Sequence, residues 1–174
     1  MVLPLDAQEI VSVPAAGTVQ AVLTPLAQPV RAGQPLLRLY SPQLLQWQRE
    51  FVQAAAQEAL AAEKLKRDTA LFADGIIAEN RLQEARSHAT QSRALASEAA
   101  QMLKLAGMSE KALQALRATQ TLSAVLEVTA RVKGTVLDYN VVPGQQVEAG
   151  AALARLARGG RLGVELNASR QQAA

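Results

Sequence analysis

The chain has 174 residues, 49% of them hydrophobic and only 3% aromatic, a composition that excludes wholesale disorder and suggests buried surfaces made by small side chains at close approach. The net charge of +3 is spread along the sequence without a run of five basic residues, so nucleic acid is not indicated as a partner. The absence of cysteine excludes both disulfides and thiolate metal sites.

The first predicted β segment covers residues 10–40. Residues 18–22 roughly alternate, contain β-branched side chains and follow Gly17, and a second strand ends at residues 36–39. Gly33 stands just before that strand, where a tight turn with positive φ favours a residue without Cβ. An isolated hairpin is marginal in water, so this segment needs a partner elsewhere in the chain.

Two long helices are predicted next. Residues 43–74 and 76–106 contain neither glycine nor proline. Ser41 is a favourable N-cap for the first helix, Pro42 suits its first position, and Gly75 is typical of a helix C-terminus. The short link between the helices permits only an antiparallel return. About 30 residues at ~1.5 Å each predict a helical hairpin about 45 Å long.

A heptad seam is predicted to hold the two helices together. In the second helix the seam positions alternate between steps of three and four residues: Leu82, Ala85, Ala89, Ser92, Ala96, Ala99, Leu103 and Ala106. The first helix has a looser version: Leu44, Trp47, Phe51, Ala55, Ala62, Leu65 and Phe72. The charged residues of the first helix are interpreted mostly as a solvated surface.

The chain then returns to β structure and repeats itself. After Gly107 a short third helix is predicted, capped by Ser109, and strands resume near Leu126. The stretch GTVLDYNVVPGQQVEAGAALARL, which starts at Gly134, matches GTVQAVLTPLAQPVRAGQPLLRL at a constant offset of 117 residues. Gly150 repeats the turn glycine before the second strand. Two such halves bury a face only when they close on each other.

The predicted fold class is therefore α+β, with one β module split between two half-repeats. The module comprises residues 10–40 and 122–158, and the helical hairpin with its short third helix comprises residues 41–121. The four glycines that recur in the two halves are predicted to be structural turn residues: Gly17, Gly33, Gly134 and Gly150.

This arrangement resembles a known family. The twin halves, with the pattern Gly-x-Val followed by Val-x-x-Gly-x-x-Leu, are similar to the lipoyl or biotinyl-type barrel-sandwich hybrid. A hairpin inserted between them resembles the periplasmic adaptors, or membrane fusion proteins, of tripartite efflux pumps. Residues 39–44 (LYSPQL) and 103–109 (LKLAGMS) resemble the heavy-metal resistance-nodulation-division branch. The resemblance implies that residues 159–174, with a strand at 162–166, begin a truncated β-barrel domain or form a tail.

The resemblance also implies a function. An adaptor links an inner-membrane resistance-nodulation-division transporter to an outer-membrane channel, here for heavy-metal cation export. In full length it is periplasmic, associates with the inner membrane and self-associates into a ring. No catalytic residue, cofactor or nucleic acid is expected. We expect any targeting or anchoring segment to lie outside this chain, because no stretch has roughly 18 uninterrupted apolar residues.

The docking residues follow from the same resemblance. Adaptors that dock tip to tip carry an arginine, a leucine four residues later and a serine seven residues after that. Here Arg67 and Leu71 occupy the first two positions, and Ala78 replaces the serine. Ile76 and Ile77 are expected at the loop apex, where apolar side chains usually need a partner. These five residues are the predicted channel-docking site, and the alternative is a surface arginine near a packing leucine.

Other functions have less support. A carrier of biotin or lipoate is the main alternative, but the position of its modified lysine corresponds to residues 39–43, which contain none, and Lys133 is on another turn. Neither a glycine-rich phosphate loop nor an isolated carboxylate pair supports an enzyme. Glu84 and His88 lie four residues apart, but soft metals need clustered ligands, so no metal site is predicted and a solvated pair is favoured.

Overall fold

The computed structural model describes residues 8–158, which form eight β-strands and three α-helices. The strands are β1 (Gln8–Ser12), β2 (Gly17–Val22), β3 (Pro29–Val30), β4 (Pro35–Tyr40), β5 (Val125–Thr129), β6 (Gly134–Tyr139), β7 (Gln146–Val147) and β8 (Ala152–Arg158). The helices are α1 (Pro42–Ala73), α2 (Glu79–Leu105) and α3 (Glu110–Thr119). The strand predicted at 162–166 lies outside the described residues. No helix within 8–158 has the length and apolarity needed to cross a bilayer.

The strands form two antiparallel sheets, and each sheet takes strands from both halves of the chain. One sheet has the order β1-β8-β6-β3 and the other β5-β4-β2-β7. Each strand of the first half begins 117 residues before its counterpart, and the repeat therefore extends to β1 and β5, which precede the two matching stretches that start at Gly17 and Gly134. The predicted α+β fold, with a β module made from two half-repeats and an inserted hairpin, is confirmed.

Two of the four predicted turn glycines lie in turns. Gly33 has a φ of 84° and Gly150 a φ of 85°, a conformation that side chains with a Cβ rarely adopt. Their backbone N–H groups donate across the module, from Gly33 to the carbonyl of Ala130 (2.7 Å) and from Gly150 to that of Val13 (2.8 Å). Each turn therefore joins one half of the repeat to the other.

The other two glycines have a different role from the one predicted. Gly17 and Gly134 are the first residues of β2 and β6, and neither has a positive φ. A Cβ at Gly17 would lie 2.5 Å from the carbonyl oxygen of Tyr40, and at Gly134 it would lie as close to that of Ala157. These glycines are needed for close approach of the backbone to a neighbouring strand.

The start of the hairpin is tied to the β module at Ala16. The Ser41 hydroxyl accepts a hydrogen bond from the Leu44 backbone N–H (3.2 Å), as predicted for the N-cap, and donates one to the Ala16 carbonyl (2.7 Å). The Gln43 side chain accepts a bond from the Ala16 N–H (2.9 Å). Both backbone groups of Ala16 are thus satisfied by the first residues of the helical segment.

The base of the hairpin shares its hydrophobic core with both sheets. Strand residues with no exposed surface, such as Leu39 and Leu156, belong to the same cluster as buried helix residues. The members from the helices and the C-cap of α2 are Leu44, Phe51, Leu103, Ala106, Leu113 and Leu116. Apolar packing therefore fixes the lower part of the hairpin to the β module.

The seam prediction is correct for α2 and partly wrong for α1. All eight predicted seam residues of α2 and the adjoining turn are buried or half-buried. In α1, Ala62 and Phe72 are exposed, and Ala61 and Asp68 are buried in their place. The reason is two successive three-residue steps after Ala55, which move the seam back by one residue. A strict heptad continued through this point therefore selects the wrong face.

The third helix braces the lower part of α1. Ser109 is its N-cap, as predicted, and accepts a hydrogen bond from the Ala112 N–H (3.2 Å). The Arg117 guanidinium donates to Glu58 (2.9 Å) and lies 5.7 Å from the centre of the Phe51 ring, within the range of a cation–π contact. Glu58, interpreted from the sequence as part of a solvated surface, is half-buried in this contact.

Ala27 provides a stability test because its counterpart in the repeat is Gly144. Both have positive φ, 60° at Ala27 and 88° at Gly144. Ala27→Gly should stabilise the protein by about 1 kcal/mol by relieving left-handed strain, and Gly144→Ala should destabilise it by about as much. A Cβ at Gly144 meets no atom within 4 Å, so only backbone strain is tested. Urea unfolding measures both, and shifts in the same direction would contradict this explanation.

Candidate docking site at the hairpin tip

The tip begins where α1 ends in a tight glycine motif. Asp74 is the C-cap and Gly75 follows with a φ of 71°. The Gly75 N–H donates to the carbonyl of Phe72 (3.0 Å), and the Ile76 N–H donates to that of Leu71 (2.9 Å). This pair of bonds is the Schellman motif, which satisfies carbonyls that the helix end would leave free. The predicted C-terminal glycine is confirmed, and it gives the loop a defined conformation.

The second helix begins without a side-chain cap. Ala78 is the N-cap residue, with ψ of 154°, and it makes no side-chain hydrogen bond to the first turn. Glu79 supplies a negative charge near the positive end of the helix dipole. The first turn of α2 therefore leaves to solvent a backbone donor that a capping hydroxyl would bind.

Ala78→Ser should raise the free energy of unfolding by about 1 kcal/mol, because the serine oxygen would accept a bond from a free N–H of the first turn. Thermal unfolding measures the change. The matched control is Ala70→Ser, at an exposed position inside α1, where serine should be neutral or slightly destabilising. A midpoint unchanged or lowered by Ala78→Ser would contradict the helix start.

The predicted docking residues differ in exposure. Arg67 and Ala78 are exposed, and Ile76 leaves 67% of its surface accessible. Leu71 is half-buried, because it lies on the shifted seam of α1. Ile77, expected to be exposed, is also half-buried. Three of the five predicted docking residues are therefore exposed, and the other two are half-buried.

Phe72 adds an apolar group to the tip that sequence reasoning had assigned to the seam. Its side chain is 40% exposed, one turn of backbone before the exposed Ile76. The two residues belong to the same Schellman motif, so their backbones are fixed relative to each other. No local sequence signal reveals this exposure, because Ala61 and Ala62 fit the seam equally well. We call Arg67, Phe72 and Ile76 the tip patch.

Beneath the tip patch lies a buried carboxylate that sequence reasoning missed. Asp68 of α1 has no exposed surface, and its Oδ1 accepts a hydrogen bond from the Arg81 guanidinium of α2 at 3.2 Å. Its Oδ2 has no hydrogen-bond partner among the described residues. The Arg81 side chain is 56% exposed. This ion pair joins the two helices within two turns of the apex.

The groups with shifted pKa values lie in the β module. Asp138 accepts two bonds from Arg155 Nε (2.9 and 3.0 Å), and these bonds hold the pKa of the carboxyl below its usual range. Burial raises the pKa of Tyr139, whose hydroxyl donates to the Thr24 carbonyl (2.7 Å). The first pair joins β6 to β8 and the second joins the two halves. Both are structural contacts.

The residues considered for metal binding stand apart from the tip patch. Glu84 and His88 are exposed along the outer face of α2, beside other polar side chains. Among residues 8–158, no group of three or more histidine, aspartate and glutamate side chains is placed to hold a metal ion. Both side chains belong to the exposed polar face of α2.

The region corresponding to a carrier's modified lysine is occupied by the hairpin junction. Residues 39–43 pass directly from β4 into α1, where Ser41 and Gln43 bind Ala16. Lys133 lies in the turn before β6 and is exposed. A lysine-modified carrier has no suitable attachment residue at this junction.

Comparison with known proteins decides the family. The family model described as the CusB barrel-sandwich hybrid domain matches residues 8–157, which include the whole hairpin and every strand except the last residue of β8. The chain belongs to the CusB barrel-sandwich hybrid family. The resemblance to membrane fusion proteins of the adaptor type is therefore confirmed at the level of this family. A search of curated protein sequences finds no match.

Solved structures agree with this family at the level of the fold. ZneB from Cupriavidus metallidurans is 24% identical, with a TM-score of 0.59, over 88% of this chain and 62% of ZneB. A MacA–MexA chimeric protein containing the Pseudomonas aeruginosa MexA α-hairpin domain is 19% identical, with a TM-score of 0.63, over 87% of this chain and 47% of the chimera. The chain thus spans about half to two thirds of their length.

Proposed function

We propose that this protein is the periplasmic adaptor of a tripartite efflux pump, linking an inner-membrane resistance-nodulation-division transporter to an outer-membrane channel. The observation that carries the proposal is the tip patch. Phe72 and Ile76 expose large apolar side chains at the helix end, and Arg67 adds an exposed cation about two turns below the apex. Apolar side chains exposed together at a loop apex are typical of a contact with a partner. In this arrangement the tip of the hairpin contacts the channel, and the base of the hairpin is held rigidly to the β module by their shared hydrophobic core.

We further propose that the exported substrate is a heavy-metal cation and that the full-length protein associates with the inner membrane. Support comes from the CusB family match and from the junction sequences LYSPQL and LKLAGMS. The β module and the hairpin are proposed to act as two domains, one for packing between adaptors and one for channel contact. Residues 159–174 would lead into the next domain or form a tail.

The proposal is tested by binding to purified outer-membrane channels, including the channel encoded beside this protein. The variant Arg67→Asp, Ile76→Ser should bind at least tenfold more weakly, which corresponds to about 1.4 kcal/mol. The matched control is Arg49→Asp, Leu60→Ser, which changes one exposed cation and one exposed apolar residue of α1 away from the tip. Circular dichroism verifies that both variants keep their helices.

The contribution of each docking residue is resolved by single substitutions. Phe72→Ser should weaken binding like Ile76→Ser, whereas Ile77→Ser should have less effect on the interface because Ile77 is half-buried. Equal binding by the tip variant, the control variant and the unmodified protein would contradict docking through the tip patch. In that case Arg67 would be an ordinary surface arginine.

A further inference from the structure

An uncovered groove with two large apolar side chains runs along the lower half of the hairpin, well away from the tip patch. Its lining residues are Glu50, Gln53, Ala54 and Gln57 of α1 and Leu95, Glu98, Ala99 and Met102 of α2. Leu95 is 48% exposed and Met102 is 42% exposed, one heptad apart on α2. Leu105, which is 75% exposed, continues the same stripe toward the β module. The edges of the groove carry two carboxylates.

The opposite face of the hairpin is covered at this level by α3. Glu58 of α1 binds both Arg117 of α3 (2.9 Å) and Arg93 of α2 (3.9 Å), which places Arg93 on the α3 side. At about 100° per residue, Glu98 lies roughly 140° around α2 from Arg93. One hairpin therefore presents α3 on one face and the open groove on the other.

The outward face of α3 carries two alanine side chains and one cation. Lys111, Gln114, Ala115 and Ala118 are all exposed, and their spacing of three, one and three residues places them along one helical face. Alanine side chains allow the backbone of a helix to approach large neighbours closely. The buried face of α3, with Leu113 and Leu116, is already occupied by its own chain.

We propose that the groove receives α3 of a second copy of this chain, in a head-to-tail contact. The alanines of α3 would pack against Leu95 and Met102, and Lys111 would approach the carboxylates of Glu50 and Glu98. Because the two surfaces lie on opposite faces of one molecule, the contact is heterologous and repeats from copy to copy. The inference rests on the proposed function, and it adds a contact between adaptors along the hairpin to the packing proposed for the β module.

The absence of cysteine allows a direct test by disulfide trapping. Chains carrying Met102→Cys are mixed with chains carrying Ala115→Cys and oxidised mildly. The expected product is a dimer containing one chain of each kind, while each variant alone stays monomeric. The control for random collision is Leu60→Cys, at a 71% exposed residue of α1, mixed with Ala115→Cys.

Charge reversal adds a second readout. Placing Glu98→Lys in the Met102→Cys chain should lower the trapped yield severalfold, and adding Lys111→Glu to the Ala115→Cys chain should restore it. A yield no higher than that of the collision control, or homodimers from a single variant, would overturn the head-to-tail contact. Channel binding through the tip patch is measured separately with the same charge-reversed chains. If trapping fails while the charge-reversed chains still bind the channel, only the head-to-tail contact is rejected. If the tip variants lose channel binding, disulfide trapping should still occur, because the groove and α3 are unchanged in them.

Discussion

Gly17→Ala should destabilise the protein by about 3 kcal/mol, one of the largest effects expected of any single substitution here. The new Cβ would lie 2.5 Å from the carbonyl oxygen of Tyr40 and 3.3 Å from the Cα of Ser41. All the close atoms belong to the backbone, so no side chain can rotate away. The strands β2 and β4 would have to separate at the point where α1 begins.

The control for this substitution is Gly33→Ala, which introduces the same methyl group in open space. Its cost should be about 1 kcal/mol, from the positive φ alone. Urea unfolding of both variants separates steric overlap from backbone strain. Equal losses at the two positions would show that the strands adjust to the methyl group and that Gly17 is not required for close approach.

Arg81→Ala should destabilise the protein by about 3 kcal/mol, because it leaves the buried carboxylate of Asp68 without its partner. The loss should be recovered largely in the double variant Asp68→Leu, Arg81→Ala, where the buried charge is absent. The exposed Arg86 of the same helix is the matched control, and Arg86→Ala should change stability by less than about 0.5 kcal/mol.

The comparison is made by urea unfolding of the single and double variants. A double variant no more stable than Arg81→Ala would show that the stranded carboxylate is not the cause of the loss. A small effect of Arg81→Ala, similar to that of Arg86→Ala, would show that solvent reaches Asp68. Either result would remove the ion pair as a determinant of tip stability.

The fold was predictable from the sequence because the repeat and the helix boundaries have local signals. The offset between the two halves identified the split module, and Ser41, Gly75 and Ser109 marked helix ends through their own chemistry. The segments LYSPQL and LKLAGMS, which carried the family resemblance, are helix-terminal segments. Their conspicuous residues therefore satisfy backbone groups at the junctions of the hairpin.

The exposure of the tip was less predictable because it depends on a register that no local signal fixes. Ala61 and Ala62 are both alanine, so the sequence does not show which of them enters the seam. The shift buries Asp68 and leaves Phe72 40% exposed, a reversal of what hydrophobicity alone predicts. The pairing of Asp68 with Arg81 is a tertiary contact between helices and has no signature in either segment.

The helical segment leaves and re-enters the β module at adjacent points. Tyr40 and Val125 are paired across β4 and β5, and the Ser41 N–H donates to the Ala124 carbonyl (2.8 Å). In the topology of the sheet, the whole helical segment takes the place of a turn between the neighbouring strands β4 and β5. The length of the hairpin is therefore independent of the sheet structure. Removing seven residues from each helix of the hairpin would shorten it by about 10 Å while leaving both sheets in place. The length of the hairpin can therefore change in such a protein while the β module stays the same.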